Sequence, residues 1–403
     1  MSKNGFLPAD APLEILHDGY YRPWETIIYN LPALVENGIR ESISQLPLLS
    51  TDRLLSEAEW RRAYVILAFM TNAYVWGGNE PEEVLPPQVT IPFLCVAAHL
   101  ELPPILTYAA ANLWNFSSIG DDYSSVEGLR TLVSFTSTET ESWFILISVA
   151  IEAEAAGIIT TLMEALECVK VRNYNVIINA LEKLKGCIQA IGVLLDRMHE
   201  KCDPMVFYHR VRPFLAGFKG MECAGLPRGV FYDEGGGNGK WRQFRGGSNG
   251  QSSLIQFFDT ILGVDHNGHG SAGTKSYHEE MREYMPGGHR RFLMHVSRLG
   301  SIYELAMKTP KTPEQQRLRE TFTAAREALG NFRGKHIQIV TRYIILPSKQ
   351  PWKGARSDTR QNLVSQSAGG GDEELTGTGG TTLLPFLKQA RYETTMGGNL
   401  GQQ

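Results

Sequence analysis

The sequence predicts an all-α fold on three observations. Long segments repeat apolar residues every three or four positions. No alternation of strands and helices runs along the chain. Gly- and Pro-rich punctuation is gathered into a few connecting stretches. With 403 residues there is room for about two to three domains.

The first clear helix covers 56–76. Ser56 precedes Glu57 and Glu59, and Trp60, Tyr64, Leu67, Ala68 and Ala73 follow at helical spacing. Pro81, Pro86, Pro87, Pro92, Pro103 and Pro104 then crowd 80–120, which reads as a boundary or inter-domain connector. A second helical region spans 141–170. Its uncharged stretch 143–151 belongs in a large core, and Glu152 and Glu154 are expected to restore an exposed face. A third helix, 174–200, carries the stripe Val176, Ile177, Ala180, Leu181, Leu184, Ile188, Ile191 and Leu195. Residues 226–251 read as a Gly-rich loop, followed by a helix over 252–262 and shorter ones near 275–284 and 289–299. The longest helix runs 313–346. Thr312 is its N-cap, Pro313 fits the first helical position, and Gln315 completes a capping-box pattern. Leu318, Phe322, Ala325, Leu329, Phe332, His336 and Ile339 form its stripe, and Pro347 ends it. Residues 348–380 read as a linker or a mobile lid, and 383–391 as a helical patch.

Charge and cysteine content exclude several classes. Acidic residues number 43 against 39 basic, a net charge of -4, without the basic footprint of a nucleic-acid binder. The 5 Cys are odd in number and contain no CxxC, which argues against a disulfide framework or a zinc ribbon. Residues 1–5 hold no apolar signal core, and the uncharged run 102–120 is broken by Pro103, Pro104, Asn112 and Asn115. A cytoplasmic protein without a membrane or nucleic-acid partner is expected.

Most motif-like features are weak. Gly246-x-Ser248-x-Gly250 matches a nucleophile elbow, but that device needs a strand before it. His266 and His269 beside Asp265 lack a third ligand at metal spacing. Gly235 to Lys240 fails the phosphate-loop spacing. His336 stands out as a titratable ring in an apolar stripe. It is either a satisfied core histidine or the proximal ligand of a haem iron, in which case Arg333 could reach a propionate. Arg212, among Phe207, Tyr208 and Phe214, is either a surface cation or a fork for a substrate carboxylate.

Several segments in order carry a resemblance: Ala73-Tyr74-Val75-Trp76, Glu101-Leu102-Pro103-Pro104-Ile105-Leu106 with Tyr108, Gly246-Gly247-Ser248 through Gln251-Ser252-Ser253, Tyr284-Met285-Pro286, His336-Ile337-Gln338-Ile339-Val340-Thr341, and Gly377-Thr378-Gly379-Gly380-Thr381. Over about 31–391 the chain resembles the indoleamine 2,3-dioxygenase family, in its fungal form. The resemblance implies a small N-terminal helical domain (1–100), a connector contributing to the pocket (101–120), and a large haem-binding domain (121–403) with a flexible loop at 348–380. It implies haem b with His336 as proximal iron ligand, and oxidation of L-tryptophan or a related indoleamine by dioxygen to the N-formylkynurenine type of product, the opening step of the kynurenine pathway. An electron donor would keep the iron ferrous, and the protein would act as a monomer. Phe144, Ile145, Ser148 and Ala111 would form the distal pocket, with no obligatory acid or base. Tyr108, Phe207, Arg212, Leu215, Ser248, Asn249 and Thr378 would bind substrate, and Arg333 and Ser248 would border the haem. The chain departs from mammalian members at Ile145, Ala216, Asn112 and Asn249, which bears on substrate binding. Competing readings are a haem protein that carries dioxygen without turnover, and a serine hydrolase using Ser248.

Overall fold

The computed structural model describes residues 1–266, 276–354, 375–378 and 382–396. Helices dominate, as expected for an all-α protein. Near the N-terminus, α1 (Arg22–Tyr29), α2 (Leu31–Asn37) and α3 (Ile39–Ser44) gather around α4 (Glu57–Trp76). Ser56 and Glu59 close a full capping box at the start of α4, each side chain accepting the other's backbone N–H. Residues 62–76 are buried all round, so α4 is the axis of this half of the molecule rather than an amphipathic surface helix. Its one buried cation, Arg62, is held by Glu25 through two hydrogen bonds of 2.6 and 3.1 Å.

The proline-rich stretch after α4 is not simply a connector. It contains α5 (Pro87–His99), packed on α4. Pro87 starts the helix at a position whose N–H needs no partner within the helix, and Pro92 is accommodated inside it.

The second predicted helical region is two helices, α6 (Glu139–Glu154) and α7 (Ala156–Val171), separated at Ala155. By length and composition, residues 139–171 could cross a membrane, but 61% of their most apolar window is buried against protein. Glu154 is exposed as expected, whereas Glu152 is 1% exposed; its face of α6 turns inward. Next comes α8 (Tyr174–Asp196), whose predicted stripe is buried except at Val176, which is half-buried.

The Gly-rich stretch 226–251 is not all loop. The strands Val230–Gly235 and Asn238–Arg242 form an antiparallel hairpin, and the short strand Val84–Leu85 pairs with the first of them in parallel. Gly236 and Gly237 turn the hairpin at φ +62° and +82°, the left-handed region that suits glycine. A second small pair joins Phe116–Ser118 to Leu129–Thr131.

Beyond it lie α9 (Ser253–Ile261), α10 (Tyr277–Arg282), α11 (Gly287–Leu299), α12 (Pro313–Val340) and α13 (Leu383–Met396). Thr312 caps α12 by accepting the Gln315 N–H, and the Gln315 side chain accepts from Lys311 N–H, a box offset by one residue from the predicted one. α12 does not stop before Pro347. It passes through a π turn, Thr341–Ile345, into the last turn Leu346–Ser348. Pro347 lacks the N–H that an unbroken α ladder would need there.

Two apolar cores result. One centres on α4 and takes in residues from Leu7 to Tyr232 together with Met281, Tyr284 and Tyr343. The other is built by α7, α8, α9, α11 and α12. α6 runs between them, and Ile151 packs against both.

Candidate active site

A cavity of about 260 Å³ lies where the two cores meet. One wall is α6, which presents Phe144, Ile147, Ser148 and Ile151, the i, i+3, i+4, i+7 positions of one helix face. Ile145 does not line the cavity. It is 2% exposed and points elsewhere, because one residue along an α-helix is a rotation of about 100°. The expected distal role therefore passes from Ile145 to Ile147.

A short π turn, Ala109–Leu113, adds Ala111 and Asn112 beside Tyr108. The Tyr108 hydroxyl donates to Glu152 at 3.0 Å, and Ser252 donates to the same oxygen at 2.7 Å. Glu152 sits one turn beyond Ser148, just behind the cavity wall. Sequence reading missed it, although its i+4 relation to Ser148 was visible. Burial pushes its pKa up to about 7 against the hydrogen bonds from Ser252 and Tyr108. Because the folded value lies above the ordinary 4.5, the stability tied to this proton is full below about pH 4.5 and lost as pH rises through about 7, a change of about 3 kcal/mol. Glu152→Gln is expected to remove that part of the decline in unfolding free energy between about pH 5 and about pH 8. Denaturant titrations at several pH values check it, and parallel profiles for the two proteins would refute it.

A second π turn, Phe207–Val211, delivers Phe207, and the 3-10 turn after it delivers Arg212 and Leu215. The Phe144 and Phe207 rings meet at 4.7 Å. α4 holds this corner rigidly. Asn72 donates to Phe214 O and Ala216 O, and Trp76 donates to Ala216 O. Arg212 is 3% exposed. Its Nη2 donates to Thr376 O at 2.6 Å, while Nε and Nη1 are buried with no hydrogen-bond partner among the described residues. A buried guanidinium with two idle nitrogens is costly unless an anion completes it.

The 246–250 loop closes over this corner. A Cβ on Gly246 would lie 2.2 Å from Leu215 O, and one on Gly217 would lie 2.2 Å from Gly246 N. Only glycine allows that approach. The Thr378 hydroxyl donates to Gly247 O at 2.7 Å, and Thr378 O accepts from Gly246 N. The segment 375–378 thus lies against this loop, puts Gly377 and Thr378 in the cavity lining, and carries the Arg212 acceptor, Thr376 O. The Gly379, Gly380 and Thr381 of the quoted motif, and most of 348–380, lie outside the described residues. Ser248 caps a 3-10 turn, Asn249–Gln251, and is 3.4 Å from the Tyr277 hydroxyl. The strand before it ends at Arg242 rather than running into the turn, and no histidine hydrogen-bonds Ser248 among the described residues, so the nucleophile elbow is not formed. Asn249 borders the cavity and is exposed.

α12 supplies the remaining wall with Phe332, Arg333, His336, Ile339 and Val340. His336 makes no hydrogen bond or ion pair among the described residues. Burial, helped by the charge of Arg333, lowers its pKa to about 4, so the ring is neutral with a free lone pair at neutral pH. Arg333 is engaged. Nη2 grips both oxygens of Asp259 at 2.8 Å, and Nη1 bonds Ala390 O and the Thr394 hydroxyl. Sequence reading missed this carboxylate because Asp259 is 74 residues away.

Asp259 also anchors His266, which reaches Glu393 on α13 with its other nitrogen. Burial alone would raise the Asp259 pKa, but Arg333 and His266 outweigh it and hold it at about 2. His278 completes a group whose ligand atoms lie within 4.8 Å of one another. The His266 and His278 rings are stacked at 3.8 Å and 12°, so their in-plane lone pairs run side by side rather than converging. Burial and the His266 charge lower the His278 pKa to about 3. The cluster is an ion-pair network that ties α13 to α12 beside the cavity. His269, the other half of the weak metal motif, lies outside the described residues.

Comparison with known proteins agrees with this geometry. The family model described as indoleamine 2,3-dioxygenase matches residues 1–397. A 6-hydroxytryptophan 2,3-dioxygenase of Fusarium equiseti is 39% identical over 96% of this chain and 94% of its own length. An indoleamine 2,3-dioxygenase of Saccharomyces cerevisiae is 38% identical over 97% and 90%. Indoleamine 2,3-dioxygenase 1 of Rattus norvegicus is 33% identical over 95% and 90%. The family model over nearly the whole chain, together with these relatives, places this protein in the indoleamine 2,3-dioxygenase family.

Proposed function

We propose that the cavity of this dioxygenase holds haem b on His336 together with L-tryptophan, and that the chain opens the indole C2–C3 bond with dioxygen to give N-formylkynurenine. The observation that carries the substrate assignment is Arg212, whose idle Nε and Nη1 suit the two oxygens of an α-carboxylate. An oxygen carrier has no use for such a fork. The residues also fit the cofactor. His336 offers a neutral nitrogen with no competing partner among the described residues, on a wall whose neighbours Phe332, Ile339 and Val340 suit a porphyrin face. Bound there, haem supplies a ferrous iron that activates dioxygen, so an electron donor is needed to keep it reduced.

The chain's own part is placement and exclusion of water. Arg212 fixes the carboxylate. Phe144 and Phe207 flank the indole, and the 375–378 segment adds Gly377 and Thr378 to the lining. The α6 wall brings no carboxylate or imidazole to the cavity, and the Ser148 hydroxyl is turned to Phe144 O at 3.4 Å. No side chain there can serve as a strong base, and the overall reaction calls for no net proton removal, because tryptophan and dioxygen combine into a single product.

Haem-loaded, reduced protein incubated with L-tryptophan in air is expected to form N-formylkynurenine over many turnovers per haem. Protein that binds dioxygen reversibly yet forms no product would return the chain to the oxygen-carrier reading.

A further inference from the structure

The buried polar side chains of the cavity are mostly satisfied by protein. Tyr108 and Ser252 are tied to Glu152, and Ser148 to Phe144 O. His336 and Arg212 are exceptions, and the cofactor and the substrate carboxylate proposed above account for them. Asn112 is a third. It is 4% exposed and lines the cavity. Its side chain makes one long contact, from Nδ2 to Ile145 O at 3.4 Å. Its carbonyl oxygen has no partner among the described residues. That oxygen belongs to a residue that borders the cavity, where an apolar side chain of similar size would present no acceptor.

Its placement indicates what could pair with it. Arg212 is held by Thr376 of the 375–378 segment, whereas Asn112 is held against α6, the wall that carries Phe144. A substrate anchored by its carboxylate at Arg212 turns its ring toward the α6 wall. Plain tryptophan offers only C–H bonds on the benzene half of its indole, so Asn112 would stay unpaired. A hydroxyl on that ring supplies the missing donor.

Resting on the activity proposed above, we propose that Asn112 is a specificity-determining residue whose carbonyl accepts a hydrogen bond from a hydroxyl on the benzene half of the indole, so that the site favours ring-hydroxylated tryptophans. Sites built to bond a substrate hydroxyl discriminate strongly, because the alternative leaves a buried group unpaired.

The test compares haem-loaded wild type with Asn112→Val and Asn112→Thr, using L-tryptophan, 5-hydroxy-L-tryptophan and 6-hydroxy-L-tryptophan. Steady-state kcat/KM and calorimetric Kd are both read, with thermal melts to confirm folding. The expected result is a fall of about tenfold or more in the ratio of kcat/KM for the better hydroxylated substrate over tryptophan in Asn112→Val, matched in Kd, with partial recovery in Asn112→Thr. An unchanged ratio overturns the proposal. So does an equal loss on all three substrates, which would mean that the amide meets the indole N–H or only supports the π turn. Wild type inactive on every substrate would instead refute the activity reading, a result distinct from an unchanged ratio among active proteins.

Discussion

His336→Ala is expected to yield a folded protein that has lost its haem, with haem per chain falling at least about tenfold. The imidazole is the free neutral donor that α12 presents to the cavity. Its removal breaks no hydrogen bond among the described residues, and alanine favours the helix. The segment stays anchored by Leu318, Phe322, Ala325 and Leu329 in the second core, and by Arg333 on Asp259. Circular dichroism and thermal melts should therefore match wild type while the haem absorbance collapses. Added free imidazole should restore part of the haem, since it can enter the space the side chain vacates. A variant that keeps wild-type haem content and spectrum would remove His336 from the iron.

Arg212→Met should separate binding from stability. The guanidinium is buried with two unpartnered nitrogens, so in the free protein it is a liability that the substrate carboxylate relieves. Removing one partner of a buried charge pair typically costs 2–5 kcal/mol, so KM for tryptophan should rise by about a hundredfold or more. Haem content should be unchanged. Thermal stability should be equal to wild type or higher, because methionine fills the volume without a charge to desolvate. Arg212→Lys should not recover binding, since an ammonium cannot form the planar two-point contact. Steady-state kinetics beside a melting curve decide the matter. A variant with lowered stability and unchanged KM would make Arg212 a structural residue.

The Arg212 expectation was legible only in part. Its aromatic neighbourhood was apparent in Phe207, Tyr208 and Phe214. That it is buried and half unsatisfied depends on Thr376, which is 164 residues away. Arg333 shows the opposite outcome. One turn before His336 it could serve a propionate by spacing alone, yet its contacts in the fold are to Asp259, Ala390 and Thr394. Ile145 failed for a local reason, since at about 100° per residue it falls outside the arc of α6 that Phe144, Ile147, Ser148 and Ile151 present to the cavity. Glu152 failed for a distant one: a carboxylate after an apolar run reads as the return to solvent, but Tyr108 and Ser252 close over it. The Gly-rich hairpin is not visible in composition, because Gly236 and Gly237 read equally as loop and as a turn between two short strands.

Local pattern by itself determined α4, α8 and the start of α12. Ser56 with Glu59, the stripe of α8, and Thr312 with Pro313 are short-range signals, because capping and 3.6-residue periodicity act within a few turns. Sequence also supplied the family resemblance and singled out His336. Which side of α6 lines the cavity, which arginine is left for a substrate, which carboxylate is buried and which asparagine is unpaired were decided by the tertiary structure. Burial and pairing are set by residues far apart in the chain, and the free energy of a charge or an amide depends on what the fold places beside it.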